Sequence, residues 1–207
     1  MTRIKICGIT SLDDALTSIE FGADALGFVF ADSPRQIDPE TAHKIIRVLP
    51  PFIDTVGVFV DEKVDVIQQT ANHCGLHSVQ LHGNESPSYV QKLSLPLIKA
   101  FRIRDISDVE DIKRFELTHF LLDTYDEHKS GGTGKSFDWE IALPAKALGE
   151  IILSGGLNSS NITDALESVK PYAVDVSSGV EKSPGIKDHR KIEEFIRKVR
   201  TWDNRTN

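Results

Sequence analysis

No apolar run in this sequence approaches the roughly 18 residues needed to span a membrane, and the opening Met1-Thr2-Arg3-Ile4-Lys5 lacks the apolar stretch of a secretory leader. A cytoplasmic protein with no membrane partner is therefore expected. Cysteine is scarce. The two thiols, Cys7 and Cys74, lie far apart, which argues against a disulfide framework and suits reduced side chains. Positive charge is outweighed: 24 Lys and Arg against 31 Asp and Glu give a net charge of -7. No nucleic-acid surface is expected, because neutralising phosphates needs a basic face. The seven histidines are scattered and no Cys-x-x-Cys pair occurs, so no metal site is expected. Nucleotide and esterase signatures are missing as well: no Gly-x-Gly-x-x-Gly follows the first apolar run, and there is neither a Walker loop nor a Gly-x-Ser-x-Gly elbow. What remains is acid/base chemistry without a cofactor.

What is present is an alternation. With 207 residues, 40% of them hydrophobic, the chain can bury a real core, and residues 1–207 are expected to form one domain. Apolar runs at 4–7, 25–30, 55–60, 78–82, 97–101, 119–123, 151–153 and 173–176 read as strands separated by helical stretches. Ser11 suits a helix N-cap with Asp13 and Asp14 behind it, Asp38-Pro39 opens a second helix, and Gly75 ends a third over 64–74. Helices are also expected from Ser86-Pro87 to residue 93 and over 107–115. Residues 125–147 offer only a poor one, broken by Pro144, beside the glycine-rich Gly131-Gly132-Thr133-Gly134-Lys135. Alternating strands and helices imply parallel strands with right-handed crossovers. Eight of them point to a short (β/α)₈ TIM barrel of the α/β class rather than an open doubly wound sheet. The polar tail from Trp202 to Asn207 is expected to fray.

Two glycine turns locate the site. Leu153-Ser154-Gly155-Gly156 and Val176-Ser177-Ser178-Gly179 each end a late strand with freed backbone N–H groups, as a phosphate cup at the last two strands of a barrel requires. Side-chain parity adds a second signal. Lys5 with Cys7, Ser78 with Gln80 and His82, and Asp175 with Ser177 each share one strand face, opposite apolar neighbours. Those faces would line the barrel interior and converge on the mouth. Each candidate has a plainer reading. Cys7 is a small buried hydrophobe or a reactive thiol; Asp123 is a loop cap or a general acid; His82 is a satisfied core histidine or a ligand. Arg35 is a surface charge or a fork for a planar carboxylate. Asp61 competes with Asp123 as acid, although Asp61-Glu62 looks like a solvated helix start.

The motifs then combine. Lys5-Ile6-Cys7-Gly8-Ile9-Thr10, Ser33-Pro34-Arg35, Gln80-Leu81-His82-Gly83, Leu122-Asp123 with the following glycine loop and Phe137-Asp138-Trp139, Leu153-Ser154-Gly155-Gly156-Leu157, and Asp175-Val176-Ser177-Ser178-Gly179-Val180-Glu181 with Pro184-Gly185 and Lys187-Asp188 closely resemble the phosphoribosylanthranilate isomerase family. The resemblance implies an Amadori rearrangement in tryptophan biosynthesis on a small-molecule substrate, with Asp123 as acid and Cys7 as base. It places Arg35 on the anthranilate carboxylate, His82 and Asp175 against the ribose, and Gly155, Gly156, Ser178 and Gly179 around the phosphate. A thiol base needs only a modest downward shift, which Lys5 would favour and burial oppose. The acid must keep its proton part of the time, which calls for partial desolvation or a neighbouring carboxylate. Another sugar-phosphate isomerase or epimerase barrel, or a catalytically silent phosphate-binding barrel, are the alternatives. A monomer is expected, since no exposed apolar stripe stands out.

Overall fold

Runs of isoleucine, valine, leucine and phenylalanine set the strands. In a computed structural model that describes residues 1–103, 106–123 and 139–206, they are β1 (Arg3–Cys7), β2 (Ala25–Val29), β3 (Asp54–Phe59), β4 (Ser78–Leu81), β5 (Leu97–Arg102), β6 (His119–Asp123), β7 (Glu150–Ser154) and β8 (Ala173–Val176). Each pairs in parallel with the next, and β8 pairs back onto β1 with Asp175 opposite Lys5. Closure excludes the open sheet. The expected (β/α)₈ barrel forms.

The crossovers follow local signals. α1 (Leu12–Glu20) starts where the Ser11 side chain accepts from the Asp14 amide, and α2 (Pro39–Ile46) where Asp38 accepts from Thr41. α3 (Val64–Cys74) stops at Gly75, whose φ is 73°. Two helices are shorter than expected, α4 (Pro87–Val90) and α5 (Val109–Ile112). Pro96 forces the chain ahead of it toward an extended path. After β6 the described residues hold only two 3₁₀ turns, Trp139–Ala142 and Pro144–Ala147, with Pro144 interrupting any longer helix. The glycine-rich stretch 131–135 lies outside the described residues. α6 (Ile162–Val169) follows β7, and an antiparallel pair, β9 (Glu181–Ser183) and β10 (Ile186–Lys187), separates β8 from α7 (His189–Thr206).

Alternation divides the side chains. Outward residues such as Ile4, Ile6, Phe28, Phe120 and Val174 pack against Ile67, Ile162 and Phe195 in one large cluster. Burying a side chain the size of Phe120 contributes about 1.5–3 kcal/mol. Inward residues form smaller groups, among them Ala100, Leu121, Ile152 and Ala173.

The polar tail from Trp202, expected to fray, is instead helical through Thr206. Asp203 is buried and accepts from Thr2 N at 2.9 Å and from Thr2 Oγ1 at 2.8 Å, while Arg200 donates to Thr2 O at 2.6 Å and to Asp24 at 2.9 Å. These bonds fasten the last helix to the start of β1, which neither charge pattern nor propensity in the tail reveals.

Candidate active site

The inward faces of β1, β4 and β8 carry charged or polar side chains where a barrel usually packs aliphatic ones. Lys5 donates from Nζ to Asp175 Oδ1 at 2.8 Å and to Gln80 Oε1 at 3.0 Å. All three residues are buried. Burial pushes the Lys5 ammonium toward deprotonation, but Asp175 and Cys7 together outweigh it and hold its pKa above the ordinary lysine value. Gln80 Nε2 lies 2.9 Å from His82 Nδ1, and His82 Nε2 lies 3.0 Å from Asp123 Oδ2. Asp123 ends β6, so an unbroken polar chain runs from β1 across the lumen to its far side. Of the two surroundings anticipated for Asp123, partial desolvation or a neighbouring carboxylate, its side chain is 19% exposed, and the ionisable neighbour it meets among the described residues is an imidazole. Asp175, expected against the ribose, has its oxygens on Lys5 and on Ser154 Oγ, the latter at 3.3 Å.

Cys7 closes β1 and packs with Val29 and Val58. Gly27 on β2 makes this possible: a Cβ there would sit 2.7 Å from Cys7 Sγ and 3.1 Å from Lys5 Cε. Burial pushes the Cys7 thiol up, Lys5 and Lys187 pull it down, Asp175 reinforces the burial, and the net direction is up. The downward shift that Lys5 would favour is therefore not what the site produces.

Arg35 differs most from expectation. Its Nε and one Nη donate to Glu181 at 2.8 and 2.7 Å, a bidentate fork on an internal carboxylate. Three of its five N–H groups make no side-chain bond to the described residues. Glu181 also accepts from Lys187 Nζ at 2.9 Å, and Lys187 donates to the Cys7 carbonyl at 2.5 Å. Burial opposes the charge on Glu181, yet the bonds from Arg35 and Lys187 outweigh it and hold this carboxyl below its ordinary value. Glu181 and Lys187 fall within the last sequence motif, which by itself implies no role for either. A charge alternating with the Pro184-Gly185 turn was the only signal available.

The two glycine turns come together at the mouth. Gly155 and Gly156 leave β7 with φ of 91° and 63°, and a 3₁₀ turn, Ser178–Val180, follows β8. Any side chain at Gly179 would run into the Leu157 carbonyl, so glycine sets how closely the turns approach. Beside them, Ser177 Oγ is buried without a hydrogen-bond partner among the described residues. Next to His82 lies a cavity of about 340 Å³ between the ends of β4 and β5 and the segments around α4 and α5, lined also by Gly83, Lys99, Arg102 and Phe115. Asp61, the rival acid, accepts from the Asn84 amide at 2.6 Å and belongs to a loop brace. Cys74 donates to the Pro39 carbonyl, and burial pushes its thiol up to about 11. Asp13, Asp14 and His189 are close enough to share a cation, but Asp14 already accepts from the Lys187 amide and from His189.

A closed eight-stranded parallel barrel with a thiol, a carboxyl group and paired glycine turns at the C-terminal ends of its strands defines a class, the TIM-barrel enzymes. The family model described as N-(5'phosphoribosyl)anthranilate (PRA) isomerase matches residues 4–198. The chain belongs to that family. A relative from Geobacter sulfurreducens, an N-(5'-phosphoribosyl)anthranilate isomerase, is 53% identical over 203 residues, covering 98% of this chain and all of the relative. The crystal structure of phosphoribosyl anthranilate isomerase from Thermotoga maritima superposes with a TM-score of 0.92 at 46% identity, over 97% of this chain and 100% of that one. Another isomerase structure, a complex with reduced 1-(o-carboxyphenylamino)-1-deoxyribulose 5-phosphate, gives 0.89 at 43% identity with the same coverage.

Proposed function

We propose that this chain converts N-(5'-phosphoribosyl)anthranilate to 1-(2-carboxyphenylamino)-1-deoxyribulose 5-phosphate in tryptophan biosynthesis, with Asp123 as acid, Cys7 as base and no metal. The observation that carries this reading is the polar chain that ends on Asp123, in the barrel whose mouth also bears Cys7. Asp123 gives a proton to the furanose oxygen as the C1–O bond breaks and the nitrogen lone pair forms the C1=N bond. Cys7, as thiolate, then takes the C2 proton; the C–H pair forms the C1=C2 bond and the C1=N pair returns to nitrogen. The enolamine loses its 2-hydroxyl proton and gains one at C1 to give the ketone. Cys7 is left protonated and Asp123 ionised, and solvent resets both.

Gly155, Gly156, Ser178 and Gly179 hold the phosphate with backbone N–H groups, and the remaining N–H groups of Arg35 take the anthranilate carboxylate. Fixing both ends of the substrate places the ribose between acid and base, which supplies several kcal/mol of the rate enhancement. His82 and Asp175 lie against the ribose, and their bonds to Asp123 and Lys5 hold them there. A single-domain monomer belongs to the same proposal. Among the described residues no helix is long and apolar enough to cross a membrane, and a cytoplasmic location suits this chemistry.

The test is the decay of phosphoribosylanthranilate fluorescence with purified protein in the presence of a chelator. Decay should accelerate, and Cys7→Ala and Asp123→Asn should each lower kcat about 10²- to 10⁴-fold while leaving the fold intact by circular dichroism. Near-normal turnover in either variant removes that residue from its role.

A further inference from the structure

We infer that Gln80, oriented by Lys5, fixes the ring tautomer of His82 and thereby decides which oxygen of Asp123 carries the acidic proton. The inference follows from counting donors along the chain Lys5–Gln80–His82–Asp123, whose links measure 3.0, 2.9 and 3.0 Å. A lysine ammonium has three donors and no acceptor, and Asp175 at 2.8 Å keeps this one charged. The amide atom that faces Lys5 must therefore be the carbonyl oxygen, which leaves the NH₂ of Gln80 facing His82. An NH₂ only donates, so His82 Nδ1 must accept and carries no proton. The ring proton then sits on Nε2 and is donated to Asp123 Oδ2. An imidazolium is excluded in this arrangement, because its second N–H would face the N–H of Gln80.

The contact between His82 and Asp123 is thus a hydrogen bond with a set direction rather than an ion pair. Because Oδ2 is held as an acceptor, the proton of a protonated Asp123 belongs on Oδ1, which has no hydrogen-bond partner among the described residues. Oδ1 is the oxygen free to meet a substrate. With the opposite tautomer, His82 Nε2 would present a lone pair, Oδ2 would hold the proton against it, and the acid would point into the protein. Gln80 and Lys5 are positioning residues in this scheme. Lys5 also lies against Cys7, with both side chains packed on Gly27, so one ammonium orients the acid while touching the base.

The inference rests on the acid role proposed for Asp123, but its primary test does not. Nitrogen-15 NMR of the histidine rings, with His82 assigned by its loss in His82→Gln, should show Nδ1 unprotonated and Nε2 protonated in the unmodified protein. A His82 protonated on Nδ1 overturns the inference outright. Gln80→Glu offers Nδ1 an acceptor instead of a donor, so the ring should gain a proton on Nδ1. kcat should then fall about 100-fold, the lower end of what a general acid contributes, with KM little changed. Gln80→Met, uncharged and of similar size, should give mixed tautomers and a smaller loss of kcat, and it serves if the glutamate variant does not fold. A ring that keeps its original tautomer in both variants, or a switched ring with unchanged kcat, sinks the positioning role. Should Asp123→Asn keep its turnover while the NMR pattern stands, the proposed acid fails and the tautomer assignment survives.

Discussion

Two buried lysines approach Cys7 by different routes, and their environments set them apart. Lys5 reaches the thiol through the lumen, and Lys187 reaches the Cys7 carbonyl from the β9–β10 pair. Both carry an ion pair, to Asp175 and Glu181 respectively, with side chains at most 5% exposed. Burial pushes both toward deprotonation, yet Lys5 ends above the ordinary lysine value and Lys187 below it. The difference lies in the carboxylates. Among the described residues Asp175 pairs with Lys5 alone of the cations, whereas Glu181 is divided between Lys187 and Arg35. An undivided counter-charge makes Lys5 a dependable source of donors inside the barrel. Lys187 acts instead as a fastening between the end of β1, the Ser177 carbonyl and the start of β9 at Glu181.

Replacing each lysine should separate these roles. Lys5→Met should have the largest effect, because Asp175 is left buried without its cation; stability should drop by about 3–5 kcal/mol in urea titrations. Turnover should fall with it. Lys5→Met combined with Asp175→Leu should recover most of the stability, since a well-packed apolar pair often substitutes for a buried ion pair, but it should not recover kcat. Full recovery of both would make the two lysines equivalent fastenings and end the distinction. Lys187→Met should cost less, about 2–3 kcal/mol, because Arg35 still neutralises Glu181 and the main loss is charged hydrogen bonds to carbonyls.

Arg35→Ala separates binding from clamping. It should raise KM about tenfold, equivalent to roughly 1.4 kcal/mol, with kcat nearly preserved, and a loss confined to kcat would remove Arg35 from the carboxylate. The smallest effect is on the pH profile. Cys7 ionises above the ordinary thiol value, so a rate that needs the thiolate should climb as pH rises from neutral into the alkaline range. Lys5 is the stronger of the two cations that lower this value. Its removal should therefore move the climb to higher pH, and removal of Lys187 should move it the same way by less. Equal displacements in steady-state profiles would contradict the comparison.

Much of the scaffold was legible because alternation is a local property. The runs at 4–7, 78–82 and 173–176 gave their strands to within a residue at either end, and parity alone placed Lys5, Gln80 and Asp175 inside the barrel. Helix caps at Ser11 and Asp38 and the stop at Gly75 are equally local. What escaped was pairing across the fold. Arg35 and Glu181 are 146 positions apart, and nothing in Ser33-Pro34-Arg35 tells that half of its fork is taken. For the same reason Cys7 was readable as a reactive thiol but not as one whose pKa burial raises. The direction of the Gln80 amide likewise depends on an ammonium from another strand.

The clasp between Thr2 and Asp203 has a practical corollary. It gathers the start of β1 and the last turn of α7 on the floor of the barrel, where the strands begin, on the side away from the mouth. The backbone is thus nearly a closed ring whose seam is a matter of convenience. A short linker across those ends, with a new opening at the exposed turn around Phe52, should return the same barrel with its turnover retained. Cargo fused beside Thr2 or beside Thr206 should hang beneath the barrel floor and leave substrate entry unobstructed.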